Sequence, residues 1–176
     1  MQLQELMKNI QFTGTPDNRE ISAITYDSRK VKPGTLFVAI SGMQTDGHEF
    51  IPQAIENGAV AILSNGRSPK TKAVPILQVE DPRSAMSHIS AQFYGNPSTA
   101  MNVVGITGTN GKTSITHILY HILQNSEISC GTLGTLGFRT PTGMMSTGFT
   151  TPESVELQQM LQTLKMAGVD NVIMEI

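Results

Sequence analysis

Cysteine and net charge are both scarce in this sequence. Cys130 is the only cysteine among 176 residues, so no intramolecular disulfide can form, and a reducing compartment fits. We interpret it as a small core residue and not as a nucleophile, because no partner for it is indicated. Twelve basic residues against fourteen acidic ones give a net charge of −2. That balance argues against a nucleic-acid-coating surface, which would show a basic excess.

Long apolar runs are absent as well. No uninterrupted apolar stretch approaches the roughly 20 residues that a membrane helix needs. Residues 1–6 lack the basic region and apolar run of an export signal. We therefore expect a cytoplasmic protein without membrane insertion. A hydrophobic content of 39% still allows a globular core, and the length fits one ordinary domain or two small ones.

A short apolar run leads into three glycines near the middle of the chain. Residues 103–114 are VVGITGTNGKTS, and apolar residues then follow at helical spacing, which predicts strand, loop and helix. Backbone N–H groups freed by glycine, together with a helix N-terminus, form an anion site. In such a site Lys112 would reach the outer phosphates and Thr113 would ligate magnesium. The generic pattern wants glycine where this chain has Ile106, so a plain glycine-rich turn remains the alternative at this point.

The first half of the chain alternates short helices and strands. Helices are predicted at 2–10, 49–58 and 82–94, and strands at 21–26, 35–40, 59–63 and 74–79. Pro75 favours an edge position for the last strand, and Asp81 is the expected N-cap of the last helix. The turn-rich segment 95–99 predicts a boundary, with domains at 1–97 and 98–176.

The second half continues the pattern of strands and helices. After the helix at 113–124, residues 129–137 are interpreted as a glycine-punctuated strand and loop, and 140–147 as an unpatterned turn region. A helix to Gly168 is predicted with Thr151 as N-cap and Pro152 at its first position. A buried strand is predicted over 169–176. Glu175 lies near its carboxyl end, where open α/β sheets bind ligands, although a water-facing carboxylate is the alternative. About three strands are fewer than such a domain needs, so we expect a fragment of a larger enzyme.

Five motifs resemble the Mur ligases. The glycine loop, residues 105–113 (GxxGTNGKT), carries the spacing of that family and of its relative, folylpolyglutamate synthetase. The other motifs are 26–39 (YDSRxVxPGxLFVA), 42–50 (GxxxDGHxF), 150–154 (TTPES) and 173–176 (IMEI). Motifs 26–39 and 42–50 belong to an N-terminal domain that folylpolyglutamate synthetase lacks. The resemblance is therefore strongest to Mur ligases that act on UDP-N-acetylmuramoyl-L-alanyl-D-glutamate.

The resemblance implies an architecture and a reaction. The architecture is a small N-terminal α/β substrate-binding domain followed by the beginning of a phosphate-loop parallel α/β ATPase domain. The reaction is ATP-dependent amide bond formation in peptidoglycan synthesis, in which a substrate carboxylate attacks the γ-phosphate and a diamino acid, lysine or meso-diaminopimelate, captures the acyl phosphate. The family's amine-binding domain and its second magnesium site would lie beyond Ile176. We therefore expect this chain alone to be inactive, and the full protein to be a monomer.

The resemblance also implies roles for individual residues. Lys112 is the expected catalytic residue at the β- and γ-phosphates, and Mg²⁺ would be held by Thr113 and Glu175. The ATP-binding residues would be Gly108, Thr109, Asn110, Gly111, Lys112, Thr113 and Ser114. The UDP-substrate would be bound by Ser28 and Tyr26, by Met43, Gln44 and Thr45 at the uracil, and by Thr150 and Thr151 at the muramoyl-peptide. The alternatives without a role in substrate binding are a turn cap at Ser28 and a helix cap at Thr151. Phe149 stands where the family often has asparagine, which puts one substrate hydrogen bond in doubt.

Two other hypotheses remain at this stage. A non-catalytic UDP-sugar-binding module would bind uridine nucleotides without ATP turnover. An unrelated phosphate-loop kinase would turn over ATP without any uridine ligand, and motifs 26–39 and 42–50 would then be coincidental.

Overall fold

A computed structural model describes residues 1–42, 45–66, 73–145 and 152–176. The chain forms two compact units, Met1–Phe93 and Tyr94–Ile176. The predicted domain boundary between residues 97 and 98 falls a few residues later, and the assignment of those ranges as functional domains stays a prediction.

The first unit is built on a four-stranded parallel sheet in the order β1-β2-β3-β4. Parallel sheets are covered on both faces, which explains why the two central strands are apolar except for the buried Thr35 and Ser64 at their ends. Leu36 and Phe37 of β2 and Ile62 and Leu63 of β3 are fully buried. The elements of this unit are α1 (Leu3–Leu6), β1 (Ala23–Thr25), β2 (Thr35–Val38), α2 (Ile51–Glu56), β3 (Ala59–Ser64), β4 (Ile76–Gln78) and α3 (Pro82–Phe93), with 3-10 turns at Ser28–Lys30 and Gly47–Phe50.

Most of these elements lie where the local sequence pattern predicts them. Asp81 accepts hydrogen bonds from the backbone N–H groups of Arg83 (2.9 Å) and Ser84 (3.1 Å), which confirms it as the cap of α3. Strand β4 is at the sheet edge, as Pro75 indicated. Helix α1 is shorter than predicted, and the first turn of the helix predicted at 49–58 is a 3-10 turn.

The second unit has a mixed five-stranded sheet in the order β5-β9-β6-β7-β8. Strands β5, β9 and β6 are parallel, and β7 and β8 extend the sheet as antiparallel strands. One cluster of buried side chains packs helix α5 on the sheet: Leu133, Phe138, Leu161, Leu164, Val169 and Val172. The elements are β5 (Asn102–Ile106), α4 (Lys112–Asn125), β6 (Cys130–Gly134), β7 (Gly137–Thr140), β8 (Gly143–Met145), α5 (Ser154–Met166) and β9 (Asn171–Glu175).

Three expectations for this unit were wrong. The segment predicted as a turn region at 140–147 contains β8, because a turn at 140–143 folds the chain back onto β7 and backbone pairing does not require a patterned strand. The sheet accordingly has five strands, not about three. Helix α5 begins at Ser154 with Glu153 at the N-cap, so Pro152 precedes the helix; Thr151 lies outside the described residues.

Helix α4 is confirmed, but its apolar residues do not all face the sheet. Thr116 is the residue of this helix that is buried, and the helix packs on β5, β6 and β9. Ile115, Ile118 and Ile122 are each more than half exposed. The helical spacing in the sequence therefore predicted the helix and not its buried face. In the described part of the chain, no helix combines the length and apolar character needed to span a bilayer.

Candidate active site

The glycine loop joins the end of β5 to the start of α4. Gly108 and Gly111 have φ values of 147° and 83°, in the region where a side chain would strain the backbone. Gly111 is the N-cap of α4, and no described side chain caps this helix end. The first N–H groups of a helix lack intrahelical partners, and the helix dipole favours negative charge there. The loop therefore presents uncapped donors to an anion.

Lys112 lies in the first turn of α4. Its Nζ donates a hydrogen bond of 2.7 Å to the backbone oxygen of Gly108, which folds the side chain back over the loop. An ammonium group has three N–H donors, so two remain for phosphate oxygens. The seven predicted ATP-binding residues, 108–114, all lie on this loop and the first turn of the helix.

Glu175 is brought to the loop by sheet pairing. Strand β9 runs parallel to β5, with Glu175 opposite Ile106, so both strands end at the same edge. Thr113 Oγ1 donates a 3.0 Å hydrogen bond to Glu175 Oε2. Glu175 is only 9% exposed, so its alternative as a water-facing carboxylate does not fit. The structure thus joins the two residues predicted as metal ligands.

Two residues at this site were missed by the sequence reasoning. Thr135 Oγ1 donates a second 3.0 Å hydrogen bond to Glu175 Oε2, and the preceding Gly134 leaves space for the same carboxylate. Gly134 is the last residue of the parallel strand β6, and Thr135 follows it. The segment 129–137 had been interpreted as a strand and loop, and the rule that carboxyl ends of parallel strands share an edge could have pointed to them.

The donor set fits magnesium. Among the residues that the structure describes, no group of three or more His, Cys, Asp or Glu side chains could hold a metal by itself. Mg²⁺ is usually bound through one or two carboxylates, with water and substrate phosphates completing the octahedron. One hydroxyl and one buried carboxylate beside the glycine loop match that chemistry.

Ser28 is held by Gln53 of helix α2 and by Asn57, the C-cap residue of that helix. It is 6% exposed, and its Oγ donates to Gln53 Oε1 at 2.9 Å. Asn57, one turn further along the chain, donates from Nδ2 to the Ser28 backbone oxygen at 3.0 Å. The cap of the Ser28–Lys30 turn is Asp27, which accepts from the Arg29 backbone N–H; the Arg29 side chain also lowers the pKa of this carboxyl. The alternative of Ser28 as the turn cap therefore fails.

The remaining predicted substrate residues are only partly described. Tyr26 is half-buried, and Thr45 is exposed, its backbone oxygen accepting from Gly42 at 2.9 Å. Met43, Gln44, Thr150 and Thr151 lie outside the described residues, as does Phe149. An open depression of about 360 Å³ on the first unit involves none of the predicted residues; it is lined by Gln11, Phe12, Thr13, Asn65, Gly66, Gln78, Val79 and Glu80.

His48 is buried beside the Thr45 loop. Its Nδ1 lies 2.6 Å from Asp46 Oδ1, and the side-chain hydrogen bond from His48 is the main cause that lowers the pKa of Asp46 to about 2. These contacts make His48 a hydrogen-bonding residue of the Gly47–Phe50 turn.

The glycine turn, the uncapped helix and the hydroxyl–carboxylate pair define an α/β protein of the phosphate-loop class. Residues 20–94 match the profile described as "Mur ligase family, catalytic domain", and residues 106–176 match "Mur ligase middle domain". The chain belongs to the Mur ligase family.

Named relatives align with the whole chain. It is 41% identical to the UDP-N-acetylmuramoyl-L-alanyl-D-glutamate--2,6-diaminopimelate ligase of Caldanaerobacter subterraneus, covering 100% of this chain and 37% of the relative. The protein of the same name from Listeria monocytogenes is also 41% identical, with 100% and 36% covered. The chain thus spans about a third of the length of the curated relatives it matches.

Solved structures share the fold. A structure of a UDP-N-acetylmuramoyl-L-alanyl-D-glutamate--2,6-diaminopimelate ligase aligns with a TM-score of 0.82 at 24% identity, covering 100% of this chain and 36% of that one. The MurF ligase of Thermotoga maritima, solved in complex with ADP, aligns with a TM-score of 0.60 at 27% identity, covering 89% and 32%. The predicted fold class is confirmed.

Proposed function

We propose that the whole protein is an ATP-dependent ligase that adds a diamino acid to UDP-N-acetylmuramoyl-L-alanyl-D-glutamate in peptidoglycan synthesis. The observation that carries the proposal is the contact of Thr113 with Glu175 at the end of a glycine loop in a Mur ligase middle domain. The names of the relatives favour 2,6-diaminopimelate over lysine as the amine. The two nucleotide substrates and the single cysteine fit a cytoplasmic site of action.

The residues of the second unit suit phosphoryl transfer from ATP to a carboxylate. This step brings several negative charges together, so its catalysis depends on positioned cations and N–H donors. Lys112 and the first turn of α4 would bind the phosphates, while Thr113 and Glu175 would hold Mg²⁺, which supplies further positive charge. The substrate carboxylate bonds to the γ-phosphorus as ADP leaves; the amine then bonds to the acyl carbon as phosphate leaves. An ADP complex of the related MurF ligase supports the choice of nucleotide.

Ser28 would bind the uridine end of the UDP-substrate. Because the oxygen of Gln53 can only accept, the Ser28 proton is committed to it, and Ser28 Oγ offers its lone pairs to a ligand. The alternative is a non-catalytic module that binds a UDP-sugar. The contact between Thr113 and the buried Glu175 favours the ligase, since a module without phosphoryl transfer has no need of it.

Calorimetry on this chain tests both binding sites. UDP-N-acetylmuramoyl-L-alanyl-D-glutamate should bind saturably and more weakly to Ser28→Ala, while Ser22→Ala, an exposed serine at the other end of β1, should bind like wild type. Mg²⁺·ATP should bind more weakly to Lys112→Ala than to wild type. The matched control is Lys165→Ala, which removes an exposed lysine from the last turn of α5.

The results separate the hypotheses. UDP-substrate binding without any ATP binding would favour the UDP-sugar module, and ATP binding without the UDP-substrate would favour an unrelated kinase. If the native protein in lysate is much larger than 19.0 kDa, ligation of diaminopimelate or lysine is to be assayed on that species. Failure of both amines there would contradict the proposed reaction.

A further inference from the structure

The carboxylate of Glu175 is held by donors from two different elements. Thr113, in the first turn of α4, and Thr135, in the turn after β6, each donate to the same oxygen, Oε2, at 3.0 Å. They are 62 and 40 residues away from Glu175 in sequence. Glu175 makes no ion pair with the cationic side chains that the structure describes. Two hydroxyl groups, and not a described cationic side chain, therefore stabilise this buried carboxylate.

Gly134 gives this carboxylate its space. A Cβ at position 134 would lie 2.6 Å from Glu175 Cδ and 2.8 Å from Cγ, and closer still to Oε1. Any side chain there would displace the carboxylate. Gly134 and Thr135 thus act on the same group from adjacent positions: the glycine leaves room for Oε1, and the threonine fixes Oε2.

We propose that Gly134 and Thr135 form a cradle that orients Glu175 for a divalent cation bound with the nucleotide. Thr135 is a positioning residue in this cradle. This inference rests on the proposed function, because the cation is that of Mg²⁺·ATP. The hydroxyl of Thr113 can ligate the cation through a lone pair while its proton still points to Glu175, whereas Thr135 acts only on the carboxylate. Because Thr113 and Thr135 already order the Glu175 carboxylate, cation binding does not lose the free energy that ordering it would cost.

Substitution of Thr135 distinguishes a role in orienting the Glu175 carboxylate from a role in stabilising the fold. Thr135→Val removes the hydroxyl at an exposed residue and keeps the branched shape, so the fold should persist. Hydrogen bonds to charged groups are strong enough that its loss should weaken Mg²⁺·ADP binding about tenfold. Binding of ADP in EDTA should be unchanged, because the phosphate donors of the glycine loop are untouched. Thr135→Ser should restore Mg²⁺·ADP binding, and Thr163→Val, at an exposed threonine of α5 that bonds its own helix, is the matched control.

Isothermal titration calorimetry with and without Mg²⁺ measures these affinities. A tenfold loss confined to Mg²⁺·ADP, with recovery in Thr135→Ser, supports the cradle. Wild-type affinity in Thr135→Val, or an equal loss with and without Mg²⁺, overturns it and leaves the proposed function standing. Wild-type protein that binds no Mg²⁺·ADP overturns both.

Gly134→Ala provides a second test through the backbone side of the cradle. The added methyl group should weaken Mg²⁺·ADP at least as much as Thr135→Val. Circular dichroism checks that the variant folds. A folded Gly134→Ala variant with wild-type Mg²⁺ dependence would show that Glu175 needs no such space, and would refute the cradle.

Discussion

Replacing Glu175 by glutamine should separate stability from cation binding. The substitution keeps the shape of the side chain and one acceptor oxygen but removes a buried charge. Thr113 and Thr135 can still donate to the amide oxygen. The variant therefore isolates the contribution of the negative charge at a site that is 9% exposed.

The expected change in stability without ligand is small because two effects oppose each other. Two hydrogen bonds to a charged group contribute about 1.5–3 kcal/mol each, and to a neutral group about 1 kcal/mol each. Burial of an ion costs several kcal/mol, a cost that glutamine largely avoids. The losses and the gain nearly cancel, so the free energy of unfolding should change by about 1 kcal/mol or less.

The difference should appear when the nucleotide is added with magnesium. A ligand at 100 times its Kd stabilises the folded state by about 2.7 kcal/mol. For a unit of this size that raises the Tm by about 10 °C or more. Wild type should show this rise with Mg²⁺·ADP, and Glu175→Gln should not. Differential scanning fluorimetry with Mg²⁺·ADP, and with ADP in EDTA as control, measures both. An equal Mg²⁺-dependent rise in the variant would refute the assignment of Glu175 to the cation.

Three further predictions concern the first unit and the cysteine. Gln53→Ala should lower the affinity for the UDP-substrate several-fold, because it releases the Ser28 hydroxyl. Gln53→Glu keeps an acceptor and should lose less of this affinity. Equal affinities of Gln53→Ala and wild type in calorimetry would contradict this role of Gln53. Asp46 should titrate near its pKa of about 2 and shift toward 3.8 in His48→Gln, as measured by carboxyl NMR. Because folding lowers this pKa, its contribution to stability is present above pH 3.8 and is lost as the pH falls toward 2. Burial raises the pKa of Cys130, which is 3% exposed, so thiol reagents should label it slowly at pH 8 until the protein unfolds. The same shift means that its contribution to stability is full below pH 9.0 and declines at higher pH; rapid labelling of folded protein would show that the thiol is accessible.

Features that depend on neighbouring residues along the chain could be predicted. The glycine loop was one of them, because glycine conformation, helix start and apolar strand are all local properties of residues 103–114. Asp81 was another, since a cap bonds N–H groups only two and three residues away. The place of Glu175 could be predicted too, because an acidic residue at the end of a buried strand is visible in the sequence.

Features that depend on which strands become neighbours could not be predicted. Local patterns do not specify that β9 inserts between β5 and β6, yet this order brings Thr135 to Glu175. The exposed face of α4 and the additional strand β8 could not be predicted either, because both depend on which elements pack or pair with them. The sequence by itself determined the order of strand, glycine loop and helix and the presence of a strand-end carboxylate. Only the tertiary structure decided which hydroxyl groups hold that carboxylate, because their contacts depend on sheet order and not on sequence spacing.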